Sequence, residues 1–249
     1  VPRWSPLSAS LSANAARLER WLLPGECLLC QRPAGGDDDP LVCAVCRSRF
    51  LPVPAPRCRR CGQPVDPAVA CRICPAWPAP LTAAESAVWL DRPARRAIHL
   101  FKYEGWHRVG AALARSMRSL APLARSAVLI PIPLGAARER ARGYNQSAVL
   151  AHSLGRLVGL EARADLLRRT RETPTQTRLT PEARAANVRG AFEARGRAPG
   201  RVVLVDDVFT TGATVAAAAA ALAEAGAEEV TCVTFARAEL PLAALSRGS

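Results

Sequence analysis

The sequence predicts an α/β fold, a parallel sheet flanked by helices, with a small cysteine-rich module ahead of it. Three observations carry that prediction. Short β-branched and apolar runs recur in the second half ahead of helical stretches, most clearly RVVLV at 201–205 before an Ala-rich segment. Eight of the nine cysteines fall as four C-x-x-C pairs within the first 80 residues. At 249 residues the chain holds one domain of roughly 150 to 200 residues plus a smaller module. Hydrophobic residues make up 49% and aromatic ones only 5%, so the core must come from Ala, Leu and Val, which suits helices packed on a sheet.

The opening, VPRWSPLSASLSANAARL, lacks a charged start followed by an apolar run of about 7 to 15 residues, and no stretch reaches ~18 uncharged apolar residues. The expectation is a cytoplasmic protein without a transmembrane segment, with residues 1–24 as an N-terminal extension. The cysteine pairs follow: Cys27 and Cys30, Cys43 and Cys46, Cys58 and Cys61, Cys71 and Cys74. Each pair sits on a tight knuckle that aims two thiolates at one tetrahedral ion. Two pairs complete a four-sulfur site, so eight ligands make two structural zinc ions. Disulfides are the rival, disfavoured in a reducing compartment. Gaps of 12 and 9 residues inside the two halves favour sequential ribbons, while an interleaved cross-brace stays open on spacing alone. A core this small would take its folding free energy from metal. With every thiolate committed, none is left for catalysis, although Arg57, Arg59, Arg60 and Arg72 leave room for a nucleic-acid or protein partner. PAWPAP at 75–80 continues neither a helix nor a central strand, placing a boundary between a 25–78 ribbon domain and an 81–240 α/β domain.

Next, DRPARRAIHLFKYEG at 91–105 is helix-like. Its Lys102 either reaches the ligand site or, as single lysines on amphipathic helices mostly do, stays solvated. Phe101, Tyr103 and Trp106, beside Lys102 and Arg108, read as core on the helical pattern, with base stacking against single strands as the alternative. His99, His107 and His152 lie in helical stretches at no shared spacing and read as packing or surface residues. VLIPIPL at 128–134 is a second buried strand; Arg138, Arg140 and Arg142 follow at alternating positions, and Asn145 to Val158 has helical spacing. Between Leu166 and Phe192 the chain is rich in Thr, Arg and Pro and lacks apolar periodicity until about Pro181. It reads as a mobile loop able to close over a ligand, with Gln176, Arg184 and Asn187 as candidate contacts.

RVVLV ends in Asp206 and Asp207; Thr210, Thr211 and Gly212 form a turn, and Ala213 to Ala225 reads as a helix. Such a turn aims backbone N–H groups and Thr hydroxyls at a helix amino end, an anion site at the carboxyl end of a strand. Carboxylates accept hydrogen bonds from vicinal sugar hydroxyls while the loop cradles a monophosphate, so the ligand is ribose 5-phosphate-like. EVTCVTF at 229–235 is a last strand, with Cys232 as a buried packing residue. The net charge of +13 concentrates in residues 81–200, which carry 21 basic against 9 acidic residues and would steer a phosphate-rich partner.

VVLVDDVFTTGAT at 202–214 closely resembles the phosphoribosyl pyrophosphate signature of type I phosphoribosyltransferases. On that resemblance Asp206 and Asp207 hold the ribose hydroxyls, and Thr210, Thr211, Gly212, Ala213 and Thr214 the 5-phosphate. Mg²⁺ carries the pyrophosphate, which Arg138, Arg140 and Arg142 would neutralise. Taken with the C-x-x-C pairs, PIPL with R-x-R-x-RGYNQS, and TQTRL…NVRGAF, the order resembles the ComF family over roughly Trp21 to Arg237. That resemblance implies a type I phosphoribosyltransferase-like parallel sheet flanked by helices, with a small N-terminal double zinc-ribbon module. It also implies a tie to natural competence, with phosphoribosyl pyrophosphate, single-stranded DNA and a competence helicase or other uptake machinery as partners. Transfer would pass through an oxocarbenium-like state, with Mg²⁺ and the arginines stabilising the leaving group while the two aspartates orient the ribose. No segment's chemistry demands a purine, pyrimidine, amine or nicotinate acceptor. A non-catalytic nucleic-acid-binding or adaptor module on the same fold is the alternative.

Overall fold

The structure, a computed structural model, describes residues 25–34, 39, 41–66, 70–120, 128–172 and 186–239. The chain forms two compact units, one up to Arg49 and one from Phe50 onward. The second cysteine set therefore belongs to the larger unit. In the small unit β1 (Gly25–Glu26) pairs antiparallel with β2 (Pro33–Ala34). The turn between them carries Cys27 and Cys30 and is closed by Gln31 N–H donating to the Cys27 carbonyl (2.7 Å), with Gln31 left-handed at φ 59°. Helix α1 (Ala44–Ser48) starts directly after Cys43.

In the large unit, among the described residues, four strands form one parallel sheet: β3 (Leu81–Trp89), β4 (Val128–Pro131), β7 (Arg201–Phe209) and β8 (Glu229–Arg237), in the order β3-β8-β7-β4. Strand β7 lies between two neighbours, and Val202 to Val205 are buried, which is why the run is continuously apolar rather than alternating. Helix α2 (Arg92–Tyr103) is started by Asp91, whose carboxylate accepts from Ala94 N–H (3.0 Å), with Pro93 in the first turn. Helices α3 (Val109–Met117) and α5 (Gln146–Val158) pack on each other; α3 lies on β3 and β8, and α5 on β4 and β7. Between β4 and α5 sits α4 (Ala136–Arg142). Helix α6 (Ala213–Glu224) packs beside β6 (Phe192–Ala194), which pairs antiparallel with β5 (Leu167–Arg169). None of the described helices is long and apolar enough to cross a membrane.

Three local expectations change. Strand β7 does not end at the aspartates: its ladder with β8 continues through Asp206↔Thr234 and Val208↔Ala236 to Phe209↔Arg237, so the carboxylates stand within the strand. The segment from Leu166 to Phe192 is not loop throughout, because its ends form the β5–β6 pair; Gln176 and Arg184 lie outside the described residues. The alternating arginines are helical rather than strung along a basic stretch, which puts Arg138 and Arg142 on one face of α4 and turns Arg140 to the exposed side.

Candidate functional site

The acidic pair sits among partners from two helices. Asp206 Oδ1 accepts from Ser147 Oγ (2.7 Å) in the first turn of α5 and from the N–H of Asp207 (2.9 Å). Asp207, 3% exposed, is ion-paired through Oδ2 with the ammonium of Lys102 near the end of α2. Lys102 is thus a member of the site, not a solvated surface lysine. Burial raises the Asp206 carboxyl to about 7, reinforced by the negative charge of Asp207 and opposed by Ser147, Lys102 and the backbone N–H. Burial works against the Lys102 charge, but the two aspartates outweigh it and hold its pKa above the ordinary value. A carboxyl raised toward neutral pH beside a paired carboxylate is a desolvated arrangement that marks a candidate ligand site.

RGYNQS positions these groups. Gly143 ends α4 in the left-handed region (φ 84°), and Tyr144 donates its hydroxyl to the Phe101 carbonyl of α2. Asn145 caps α5 by accepting from Ser147 N–H (3.0 Å) and ties it to the end of β4 by donating to the Ile132 carbonyl (3.1 Å). Ser147 itself is fully buried. Its role was missed because a serine in a first helical turn gives no distinguishing signal.

Beyond Phe209 the chain turns through Thr210, Thr211 and Gly212 into α6. Gly212 is the N-cap at φ 77°, and no side chain caps the helix. A Cβ here would stand 2.7 Å from the Phe209 ring, so glycine is required by both conformation and space. Ala213 N–H reaches Thr211 Oγ1 only at 3.5 Å. The first turn of α6 thus offers N–H groups beside the hydroxyl of Thr211.

Arg142 stacks over Tyr103 (5.5 Å to the ring centroid) and donates to Gln146. Arg169 adds a cation that sequence reasoning passed over: it stacks on Phe192 (5.3 Å), and burial, then Arg138, push its pKa down while Glu172 and Asp206 act oppositely. Phe101 is buried as expected, whereas Tyr103 and Trp106 are 69% and 41% exposed, because they lie at and beyond the end of α2 and not under it. His99 and His152 are exposed, and His107 lies in a turn, with its ring 5.8 Å from that of Tyr144. Cys232 is buried in β8, as expected.

The other cysteines form two clusters, Cys27, Cys30, Cys43, Cys46 and Cys58, Cys61, Cys71, Cys74, each with all sulfurs within 4.8 Å of one another. All are free thiols, and the pairing is sequential, not cross-braced. Sulfur separations of 3.9 Å (Cys30–Cys43), 3.7 Å (Cys58–Cys74) and 3.4 Å (Cys61–Cys71) suit a tetrahedron of ~2.3 Å Zn–S bonds, whose sulfurs lie roughly 3.8 Å apart. Burial pushes the Cys27 and Cys58 thiols up, but backbone N–H groups, that of Cys43 first for Cys27 and that of Cys61 first for Cys58, outweigh it and bring both to about 7, while burial holds Cys46, Cys61 and Cys74 above the ordinary thiol value. The donor sets fit two zinc ions.

Residues 18–75 match the double zinc ribbon domain family, and residues 145–241 the phosphoribosyl transferase domain family. Fold and site together define a zinc-ribbon protein with a phosphoribosyltransferase-like parallel sheet. The chain is similar to the DNA utilization protein YhgH of Salmonella typhi (32% identical, covering 84% of this chain and 95% of that protein) and of Escherichia coli strain K12 (33%, 84% and 95%). It is also similar to competence protein ComFC of Bacillus subtilis (28%, 80% and 89%). It belongs to the ComF family of double-zinc-ribbon, phosphoribosyltransferase-like proteins.

Proposed function

We propose that the large unit binds phosphoribosyl pyrophosphate with Mg²⁺, and that the protein acts in the cytoplasm in handling DNA taken up during natural transformation. One observation carries the ligand: Asp206 and Asp207 lie on the strand that runs directly into a Gly212-turned, uncapped helix start. Asp206 and Asp207 take the ribose hydroxyls, and the backbone and hydroxyls of Thr210, Thr211, Gly212, Ala213 and Thr214 take the 5-phosphate. Arg138 and Arg142 on one face of α4, with Arg140 further out, face the pyrophosphate. Mg²⁺, a hard cation suited to carboxylate and phosphate oxygens, would be held at Asp206 and would neutralise the pyrophosphate. Lys102 orients Asp207 through their ion pair, and Ser147 orients Asp206 through its hydrogen bond. Transfer to an acceptor is the reaction this geometry supports, with the carboxylates offsetting positive charge at the anomeric carbon.

The DNA role is supported by the names of the relatives, a DNA utilization protein and a competence protein. A second reading, a nucleic-acid-binding module without chemistry, is favoured by the exposed Tyr103 and Trp106 with Arg142 stacked on the former. In either case single-stranded DNA is the proposed partner, alongside a competence helicase or other uptake machinery. Calorimetric titration of the zinc-loaded protein with phosphoribosyl pyrophosphate and Mg²⁺ tests the first reading. Micromolar binding is expected, lost in Asp206→Asn/Asp207→Asn. Absence of binding by well-folded wild type, with single-stranded DNA bound and released by Tyr103→Ala/Trp106→Ala, would leave the second reading alone.

A further inference from the structure

The second cysteine set is built into the large unit, and its contacts there run toward the phosphate loop. Arg237, the last residue of β8, is 1% exposed. It donates from Nη1 to the Cys61 carbonyl (2.8 Å) and from Nη2 to Gln63 Oε1 (2.7 Å). Among the described residues no carboxylate pairs with it, and its Nε has no hydrogen-bond partner. A buried guanidinium needs negative charge facing it. With zinc bound, the thiolates of Cys58, Cys61 and Cys71 would supply that charge, since four thiolates around one zinc ion carry a net charge of about −2.

The other side of Arg237 stacks on Phe209, 4.4 Å from the ring centroid. Phe209 is the residue before Thr210 and limits the space at Gly212. Trp77 closes the same spot from the cysteine set, 6.0 Å from the Phe209 ring and 3.2 Å from where a Gly212 Cβ would stand. The Trp77 backbone N–H donates to the Cys74 carbonyl (3.3 Å), which also accepts from Arg60 Nη1 (2.9 Å), and Arg60 stacks over Trp77 (5.4 Å). Each half of the set thus has a carbonyl held by a guanidinium, and each guanidinium leads to an aromatic ring beside Gly212.

We propose that the 58–74 thiolate set is the footing of the phosphate loop, with Arg237 as the positioning residue that turns the set's negative charge into a fixed place for Phe209 and Gly212. Sugar-phosphate affinity then follows metal occupancy of this set and not of the 27–46 set, which belongs to the other compact unit. The ligand in this inference rests on the function proposed above; the coupling between set and loop does not.

The test uses the full, zinc-loaded chain. Arg237→Met removes the charge and both hydrogen bonds, and Arg237→Lys returns the charge. Amide spectra follow Gly212, Ala213 and Thr214 against Val203 and Leu204 in mid-strand, while bound zinc is counted and phosphoribosyl pyrophosphate with Mg²⁺ is titrated. Arg237→Met and Cys71→Ser/Cys74→Ser are expected to move the loop signals with the mid-strand signals held, and to weaken binding by roughly tenfold to a hundredfold. Cys43→Ser/Cys46→Ser should lose one zinc ion and change neither readout, and Arg237→Lys should recover part of the loss. If the second cysteine variant unfolds the sheet, Arg237→Met decides alone. Unchanged loop signals in Arg237→Met, or equal losses from the two cysteine variants, overturn the proposal. If wild type binds no ligand, the functional reading fails while the loop signals still judge the footing.

Discussion

Asp206 is where the fold gives up stability for the site. The Asp206 carboxyl, raised by burial to about 7, binds its proton more tightly folded than unfolded. Its contribution to stability is therefore complete below the ordinary carboxylate range, near pH 4, and is lost as pH rises through about 7. Asp206→Asn should melt above wild type at pH 8, with the gap closing toward pH 4 in calorimetric scans, while losing the sugar-phosphate ligand. A gap that grows on acidification would reverse the assignment. Lys102→Met leaves Asp207 buried without its cation and should cost up to about 3 kcal/mol in denaturant unfolding, most of it recovered in Lys102→Met/Asp207→Asn. The two aspartates stood out in the sequence as candidates because an apolar run precedes D-D and T-T-G-A-T follows it. Lys102, Ser147 and Arg169 were not, since each joins the site only through the packing of α2, α5 and β5.

At the scale of elements, the strand-turn-helix unit of β7, Gly212 and α6 was readable nearly to its ends from a buried β-branched run and an Ala-rich stretch. Its last strand residues were hidden, because Asp206 and Asp207 break the apolar run while the ladder to β8 carries on. Strand β3 escaped notice for the opposite reason: LTAAESAVW is an edge strand with small and polar residues and only irregular alternation in burial. Arginines at i, i+2 and i+4 mean one face on a strand and two on a helix, so the basic run after β4 needed the backbone to be sorted. Gly212→Ala tests the turn: a side chain at φ 77° against Phe209 should destabilise by about 1 to 3 kcal/mol and abolish phosphate binding together. An alanine variant that kept wild-type stability and affinity would mean that the loop does not need this conformation.

For the whole molecule, cysteine spacing forecast both thiol sets and their sequential order, but not that the second set would share a compact unit with the sheet. Chain order separates Cys61 from Arg237, and only the β8 ladder brings the two together. Two zinc ions per chain are expected by elemental analysis, and a strong chelator should lower the melting temperature. The claim on which the account turns is that a phosphorylated ribose occupies the turn after β7. The most direct test is a crystal structure of the zinc-loaded protein with phosphoribosyl pyrophosphate and Mg²⁺. The account predicts the 5-phosphate within hydrogen-bond distance of the N–H groups of Gly212 to Thr214 and the ribose hydroxyls on Asp206 and Asp207. A phosphate bound elsewhere, with the turn and both aspartates untouched at saturating ligand, would contradict it.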